Sequence, residues 1–175
     1  MQSLTHDQIE AIRSALQSND IDEIHKQVLS SMLDEHSGND SSTVLYVDGA
    51  ADLHSKTAGI GGVLYIKQVE VFSFSEPLFE KTNNEAEYLA LLKGVQETLE
   101  LNISKIDIYS DSELIVKQIN GDYKIKNDRM KVLHSKVSSE LNRLDHWTLT
   151  HIIREKNIRA DELSKLGIQQ ARHSK

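Results

Sequence analysis

The sequence contains no cysteine, a single proline and few aromatic residues, and these absences exclude several classes of protein. Without cysteine there is no disulfide framework and no thiolate metal site, so we expect an intracellular, cytoplasmic protein whose metal ligands, if any, are oxygen or imidazole. No apolar run approaches the roughly 20 residues needed to cross a bilayer. Residues 1–7 lack the basic and apolar segments of a secretion signal.

The 175 residues are enough for one main core, and their net charge of −7 is unevenly distributed. Residues 1–43 carry eight acidic and two basic residues, a net charge of −6, so the remainder of the chain sums to −1. Residues 117–131 hold five basic and two acidic residues, a local excess of +3. A polyanionic partner is therefore compatible with the later part of the chain but not with its acidic beginning.

Apolar periodicity divides the chain into a helical beginning and a longer remainder. Residues 6–18 and 20–33 have the pattern of amphipathic helices, which predicts a helical hairpin. The polar, turn-rich residues 34–43 are predicted to be a linker. We therefore expect an acidic helical arm with its linker in residues 1–40 and a single domain in residues 43–171.

The remainder has the pattern of an α/β domain. Three strands, predicted at residues 44–47, 59–66 and 69–74, have short connections that favour an antiparallel meander. Two further strands, near residues 105–110 and 147–153, alternate with helices, which predicts a mixed sheet with helices packed on it. The helices are predicted to follow Thr82 and to cover residues 111–120, 128–143 and 157–171.

Four carboxylates lie at the ends of these predicted elements. Asp48 is unusual because an acid inside a strand costs desolvation energy unless something compensates its charge, and a bound cation would do so. Oxygen donors from separate elements suit Mg²⁺ or Mn²⁺, and such clusters can hold two ions about 3.5–4 Å apart. The four candidate ligands are Asp48, Glu87, Asp111 and Asp161.

Each acid also has a simpler interpretation. Asn84 with Glu87, and Ser110 with Glu113, have the spacing of capping boxes, and Asp111 could be a first-turn acid favoured by the helix dipole. Taken singly, any of these acids could also be solvated surface. Their joint arrangement with specific neighbours favours the metal site.

Four segments resemble the motifs of type 1 ribonuclease H, in the same order and at fitting separations. The resemblance implies the ribonuclease H-like fold, with a five-stranded mixed sheet whose first three strands are antiparallel. It also implies endonucleolytic hydrolysis of the RNA strand of an RNA/DNA hybrid by two divalent ions, Mg²⁺ or Mn²⁺, giving 5′-phosphate and 3′-hydroxyl ends. The four segments are Tyr46 to Gly49, Thr82 to Glu87, Tyr109 to Ser112 and Arg154 to Leu163.

The same resemblance implies roles for individual residues. Asp48, Glu87, Asp111 and Asp161 would be the catalytic metal ligands. Asn83 and Asn84 would read the minor groove of the hybrid, where 2′-hydroxyls distinguish RNA from DNA. The remaining residues expected to bind substrate are Ser112, Asn157, Lys124 and Lys126, of which Asn157 could also be a plain N-cap and the two lysines part of an ordinary solvated turn.

Three features depart from the family pattern. The short, tryptophan-free segment 120–127 resembles the bacterial and archaeal subgroup without a basic protrusion, so Lys124 and Lys126 are the expected phosphate contacts. His151 has a spacing similar to that of the family's catalytic histidine but has the pattern of a strand residue. The acidic arm does not resemble the family's hybrid-binding module. It is expected to contact another protein, to self-associate or to pack on the catalytic domain.

Two other functions remain open from the sequence. The same fold and acids occur in nucleases that cut DNA, although the pair Asn83 and Asn84 argues against that specificity. A weakly active or inactive nucleic-acid-binding or regulatory protein is the second alternative. The presence of all four acids argues against it, whereas the missing protrusion and the acidic arm favour it.

Overall fold

The computed structural model describes residues 6–16, 18, 20–40 and 43–174. Its contacts divide the chain into two units, Met1–Ser42 and Thr43–Lys175. Within the part of the chain that is described, no helix combines the length and the apolar character needed to cross a membrane.

The first unit contains two helices, α1 (His6–Leu16) and α2 (Glu23–Asp40). The prediction of a linker over residues 34–43 is wrong for residues 34–40, which continue α2, and for Thr43, which begins the first strand. Once a helix has started, each added residue gains a hydrogen bond, so a polar stretch without proline can extend it. Residues 17, 41 and 42, which also fall in the predicted hairpin and linker, lie outside the described residues.

The second unit is built on a five-stranded sheet with the strand order β3-β2-β1-β4-β5. Strand β2 pairs antiparallel with both β1 and β3, and β4 pairs parallel with both β1 and β5. The predicted fold class is therefore confirmed. The strands are β1 (Thr43–Asp52), β2 (Thr57–Ile66), β3 (Val69–Phe79), β4 (Lys105–Ser110) and β5 (His146–His151).

The predicted strand ends differ from the observed ones where pairing overrides local pattern. Strand β1 continues past residue 47 to Asp52 because β2 pairs with it along its whole length. Strand β5 stops at His151 instead of residue 153 because its partner β4 ends at Ser110, opposite His151.

Helices cover both faces of the sheet. Helix α3 packs on the face that carries Leu45 and Val47, whereas α6 packs on the face that carries Asp48, as expected from the alternation of side chains along a strand. Helix α5 packs against α3. The helices are α3 (Asn83–Glu100), α4 (Glu113–Ile119), α5 (Asp128–Leu141) and α6 (Ile158–His173), with a short 3-10 helix at Arg154–Lys156.

Glycines on β2 allow α6 to lie very close to the sheet. A Cβ atom on Gly61 would lie 2.4 Å from the backbone nitrogen of Ser164, and one on Gly59 would lie 2.2 Å from the carbonyl oxygen of Ser164. No side chain fits at such distances. The glycine-rich sequence of β2 is therefore what brings the first turns of α6 next to β1 and Asp48.

Candidate active site

Asp48 lies in the central strand β1 and is only 3% exposed. Its side chain points to α6, where the hydroxyl of Ser164 donates a hydrogen bond to Oδ2. One residue earlier, Val47 pairs with Ser110 of the parallel strand β4. The carboxyl ends of β1 and β4 therefore place Asp48 and the residue after Ser110 side by side.

Glu87 points inward from the first turns of α3. The capping box of this helix is formed by Thr82 and Glu85: the backbone nitrogen of Thr82 donates to Oε2 of Glu85 at 2.9 Å, and the backbone nitrogen of Glu85 donates to Oγ1 of Thr82 at 3.3 Å. The alternative in which Asn84 and Glu87 form the capping box is therefore wrong. Glu87 instead accepts a hydrogen bond at 3.3 Å from the backbone nitrogen of Gly49.

Asp111 follows β4 directly and is half-buried. The capping position of α4 is Ser112, whose side chain makes no capping hydrogen bond, and Glu113 pairs with Lys117 at 2.6 Å. The alternative in which Ser110 and Glu113 form a capping box is therefore also wrong. Helix capping therefore does not explain why a carboxylate occupies position 111.

Asn157 joins the two parallel strands at the site. Its Nδ2 donates to the carbonyl oxygen of Val47 at 3.0 Å and to Oδ1 of Asp111 at 2.9 Å. It stands at the capping position of α6 without making a side-chain cap, so the plain N-cap interpretation is wrong. Its own Oδ1 is buried and has no hydrogen-bond partner among the described residues.

Three of the four predicted carboxylates converge. Asp48, Glu87 and Asp111 each offer an oxygen, and these oxygens lie within 4.8 Å of one another. Burial, with a smaller contribution from the charges of Asp48 and Asp111, raises the pKa of Glu87 to about 9. Burial also raises the pKa of Asp48 to about 6, with the hydrogen bond from Ser164 opposing the shift. These pKa values indicate a group of acids that lacks sufficient compensating positive charge, and an all-oxygen donor set of this kind fits a hard divalent cation.

The fourth carboxylate, Asp161, lies nearby in the first turn of α6 but outside this group of three. Lys165 Nζ lies 2.5 Å from Oδ2 of Asp161, and Arg154 Nε donates to Oδ1 at 3.0 Å. Burial raises the pKa of Asp161, but the hydrogen bonds from Lys165 and Arg154 outweigh it and the net pKa is below the ordinary value. Asp161 is therefore an ionised acid that the protein's own cations already neutralise.

The residues expected to bind substrate divide into two sets. Asn83 and Asn84 are the first residues of α3 and are exposed, and Asn83 Oδ1 accepts a hydrogen bond from the backbone nitrogen of Ala51 at 3.2 Å. Ser112 is half-buried directly beside Asp111. Asn83 and Asn84 come shortly before Glu87 in the sequence, and Ser112 directly follows Asp111.

Lys124, Lys126 and His151 lie on the surface and outside the carboxylate group. The two lysines are exposed in segment 120–127, and within the described residues neither forms an ion pair with a carboxylate. His151 is the exposed last residue of β5, so its expected strand position is confirmed. It lies near Glu113, whose pKa is lowered chiefly by the hydrogen bond from Lys117 and also by the nearby charge of His151.

Two residues that contact the carboxylates, Ser164 and Lys165, are not among the residues predicted from the sequence. They lie three and four positions after Asp161, a spacing that places them on the same face of a helix. That periodicity could have identified them once α6 was predicted.

Comparison with known proteins defines the class of this chain. The family model described as "Reverse transcriptase-like" matches residues 46–167, more than half of the chain. The chain is 28% identical over 127 residues to a Halobacterium salinarum protein named ribonuclease HI, a match that covers 72% of this chain and 64% of that protein. The matched part therefore spans less than two thirds of that relative's own length.

Solved structures give the same result. The crystal structure of RNase H1 from H. salinarum NRC-1 has a TM-score of 0.71 and 27% identity, and the match covers 74% of this chain and 99% of that one. LC11-RNase H1 in complex with an RNA/DNA hybrid has a TM-score of 0.69 and 34% identity, with 74% and 99% covered. The chain thus belongs to the Reverse transcriptase-like family. Within it, this chain is a member of the type 1 ribonuclease H family of enzymes.

Proposed function

We propose that this protein hydrolyses the RNA strand of RNA/DNA hybrids by internal cleavage. One observation carries the proposal: the group formed by the buried Asp48 and Glu87 and the half-buried Asp111 brings three carboxylate oxygens within 4.8 Å of one another, at the positions that resemble the family's motifs. The solved relative in complex with an RNA/DNA hybrid supports the choice of substrate.

The cofactor of this proposal is Mg²⁺ or Mn²⁺, with two ions per site. Asp48, Glu87 and Asp111 would hold one ion, and Asp161 would complete the set for a second, because carboxylate oxygens are the ligands that these cations prefer. When bound, such ions activate a water for attack on the phosphodiester and stabilise the leaving oxygen, which gives 5′-phosphate and 3′-hydroxyl ends.

The chain's own residues position the reacting groups. Asn157 fixes Asp111 against the carbonyl of Val47, and Ser164 fixes one oxygen of Asp48. These neutral donors orient carboxylates without neutralising them, so the acids keep their affinity for a cation. Gly49 does the same for Glu87 through its backbone nitrogen.

The proposed contacts with nucleic acid lie on the surface around this group. The exposed amides of Asn83 and Asn84 can hydrogen-bond to 2′-hydroxyls in the minor groove, and the hydroxyl of Ser112 lies beside Asp111. Lys124 and Lys126 are exposed and, among the described residues, have no acidic partner, so they are available for phosphate contacts.

We propose that residues 43–171 catalyse the reaction and that the arm, residues 1–40, forms a protein contact. Ile24 is 73% exposed and Val28 is 51% exposed on α2, one helical turn apart. An exposed apolar pair on an acidic helix supports contact with another protein or self-association more than contact with phosphate.

The direct test compares Asp48→Asn, Asp111→Asn and the wild-type chain on a labelled RNA/DNA hybrid, in Mg²⁺ and separately in Mn²⁺. Internal cuts in the RNA are expected from the wild type, and each variant should lose about a hundredfold or more in rate while remaining folded. The matched control is Asp107→Asn, which changes an acid within β4 that accepts a hydrogen bond from Thr148 at 2.6 Å. It should cleave at nearly the wild-type rate.

Duplex DNA and duplex RNA complete the panel and separate the two alternatives. Cleavage of duplex DNA in preference to the hybrid would favour a DNA nuclease of the same fold. Hybrid binding without cleavage in either metal would favour a binding or regulatory protein, for which the acidic arm is the observation in support.

A further inference from the structure

Both oxygens of Asp161 are already hydrogen-bonded to cations of the protein. Lys165 Nζ lies 2.5 Å from Oδ2, while Nε of Arg154 donates to Oδ1 at 3.0 Å and its Nη2 donates to the same oxygen. The Asp161 side chain is only 12% exposed, so its charge is less screened by water and salt than that of a surface acid. A divalent ion that uses Asp161 as a ligand must displace at least one of the two cations.

The other three carboxylates differ from Asp161 in the groups that donate hydrogen bonds to them. Their hydrogen bonds come from neutral donors: Ser164 to Asp48, Gly49 to Glu87 and Asn157 to Asp111. No cation of the protein has to leave before a metal ion binds between them, and only the proton on Glu87 is displaced. The site therefore has one position at which an ion can bind directly. At a second position, Lys165 and Arg154 compete with the ion for the carboxylate of Asp161.

The two competing cations differ in mobility. Arg154 belongs to the short 3-10 helix before α6, and its charge also acts on Asp48 and Asp111. Lys165 contacts Asp161 across one turn of α6, and its side chain is 57% exposed. An ammonium group on a long exposed side chain can transfer to a phosphate oxygen without any backbone movement.

We propose that Lys165 is a positioning residue that withholds Asp161 from a second divalent ion until nucleic acid is bound. The inference rests on the proposed function, because it assumes that Asp161 is a ligand at a site that acts on phosphodiesters. A substrate phosphate gives Lys165 another anion to pair with, which frees Oδ2 of Asp161 for the ion. Occupancy of the second position is thereby coupled to the presence of substrate.

The experiment counts Mn²⁺ ions on the full chain without nucleic acid. Equilibrium titration should find one ion at the site in the wild type and two in Lys165→Met, with second-ion affinity increased on the order of tenfold. Electron paramagnetic resonance provides the second readout, because two Mn²⁺ ions about 3.5–4 Å apart give a coupled-pair spectrum that ions scattered on surface acids do not. Lys165→Gln repeats the measurement with a polar side chain.

Matched controls distinguish this role from a general change of charge. Lys117→Met removes an equivalent pair, with Glu113 on α4, and should leave one ion at the site. The double variant Lys165→Met/Asp161→Asn should lose the coupled-pair spectrum. Adding a hybrid whose RNA is 2′-O-methylated, and so resists cleavage, should produce that spectrum in the wild type.

The outcomes separate this inference from the proposed function. A coupled pair in the wild type without nucleic acid, or one ion in both Lys165 variants, would overturn the inference and leave the nuclease assignment intact. Absence of any ion at the carboxylate group in the wild type would overturn both.

Discussion

Glu87 is the residue in which the demands of function and of stability conflict most clearly. It is 7% exposed and lies among other acids, so its ionised form loses solvation and gains repulsion. Its pKa rises from 4.5 to about 9. In the absence of metal the folded protein therefore holds a proton at Glu87 under neutral conditions, whereas the unfolded chain releases it.

The sign of the resulting pH dependence follows from proton counting. Below about pH 4.5 the acid is protonated in both states, and between pH 4.5 and about 9 only the folded state keeps the proton. The folded state then binds more protons, so the contribution of Glu87 to the free energy of unfolding falls as pH rises. We predict that Glu87→Gln melts several degrees above the wild type in EDTA at pH 8, with a smaller difference at pH 5.

Circular dichroism melting at a series of pH values measures this difference, and Glu85→Gln is the matched control. The pKa of Glu85 is lowered, chiefly by the hydrogen bond from the backbone of Thr82, so removing its charge should not stabilise the protein. A melting temperature for Glu87→Gln at or below that of the wild type at pH 8 would contradict the prediction.

At the scale of elements, the contact between β1 and the start of α3 sets the position of Glu87. A Cβ atom on Gly49 would lie 2.2 Å from the backbone carbon of Ala86 and the backbone nitrogen of Glu87. The atoms that such a Cβ would meet all belong to the backbone of α3, so no flexible side chain could move aside. The helix can supply Glu87 to the site only because position 49 has no side chain.

We predict that Gly49→Ala lowers the free energy of unfolding by about 1–3 kcal/mol and weakens Mn²⁺ binding, because α3 must move away from β1. The control Gly94→Ala lies on the same helix, but there a Cβ would meet the side chain of Leu45 at 2.8 Å, which can adjust. The helix also gains up to about 1 kcal/mol from alanine, so the net change should be small. Urea denaturation and a Mn²⁺ titration measure both variants, and equal losses would contradict this account.

Some features of the helices, strands and site could be predicted from the sequence, and others could not. The mixed sheet with its three antiparallel first strands and the convergence of three acids could be predicted because alternation, spacing and motif resemblance are read directly from the sequence. The Thr82 and Glu85 capping box was missed because two overlapping pairs had the same spacing, and only the start of α3 decides between them. Of the two cation pairs of Asp161, the one with Lys165 follows from helical spacing and could have been found, whereas the one with Arg154 depends on how the 3-10 helix leads into α6, which no simple periodicity encodes.

At the scale of the whole molecule, charge is divided between the two units. Residues 1–43 contribute −6 of the total net charge of −7, so the remainder of the chain is close to neutral. An acidic segment tethered to the second unit repels nucleic acid that approaches that segment at low ionic strength. The effect reaches about one Debye length, roughly 10 Å at 0.1 M salt.

We predict that deleting residues 1–42 tightens binding of an RNA/DNA hybrid by roughly threefold to tenfold at low salt and has little effect at high salt, because screening removes the repulsion. Fluorescence anisotropy in EDTA measures the affinity without cleavage. The full-length control Asp20→Asn/Glu23→Gln neutralises two exposed acids of the arm and should show part of the same gain. Weaker binding by the truncated chain would indicate instead that the arm assists.

The bonds that assemble the site join distant parts of the chain. Ser164 and Asp48 are 116 residues apart, and Asn157 and Val47 are 110 apart. A ribosome adds about 5–20 residues per second, so Asp48 in β1 and Asp111 after β4 emerge seconds before the helix that orients them. A nascent chain interrupted in that interval has its acids but not their arrangement. Nuclease activity should therefore begin only when α6 has been synthesised and has folded.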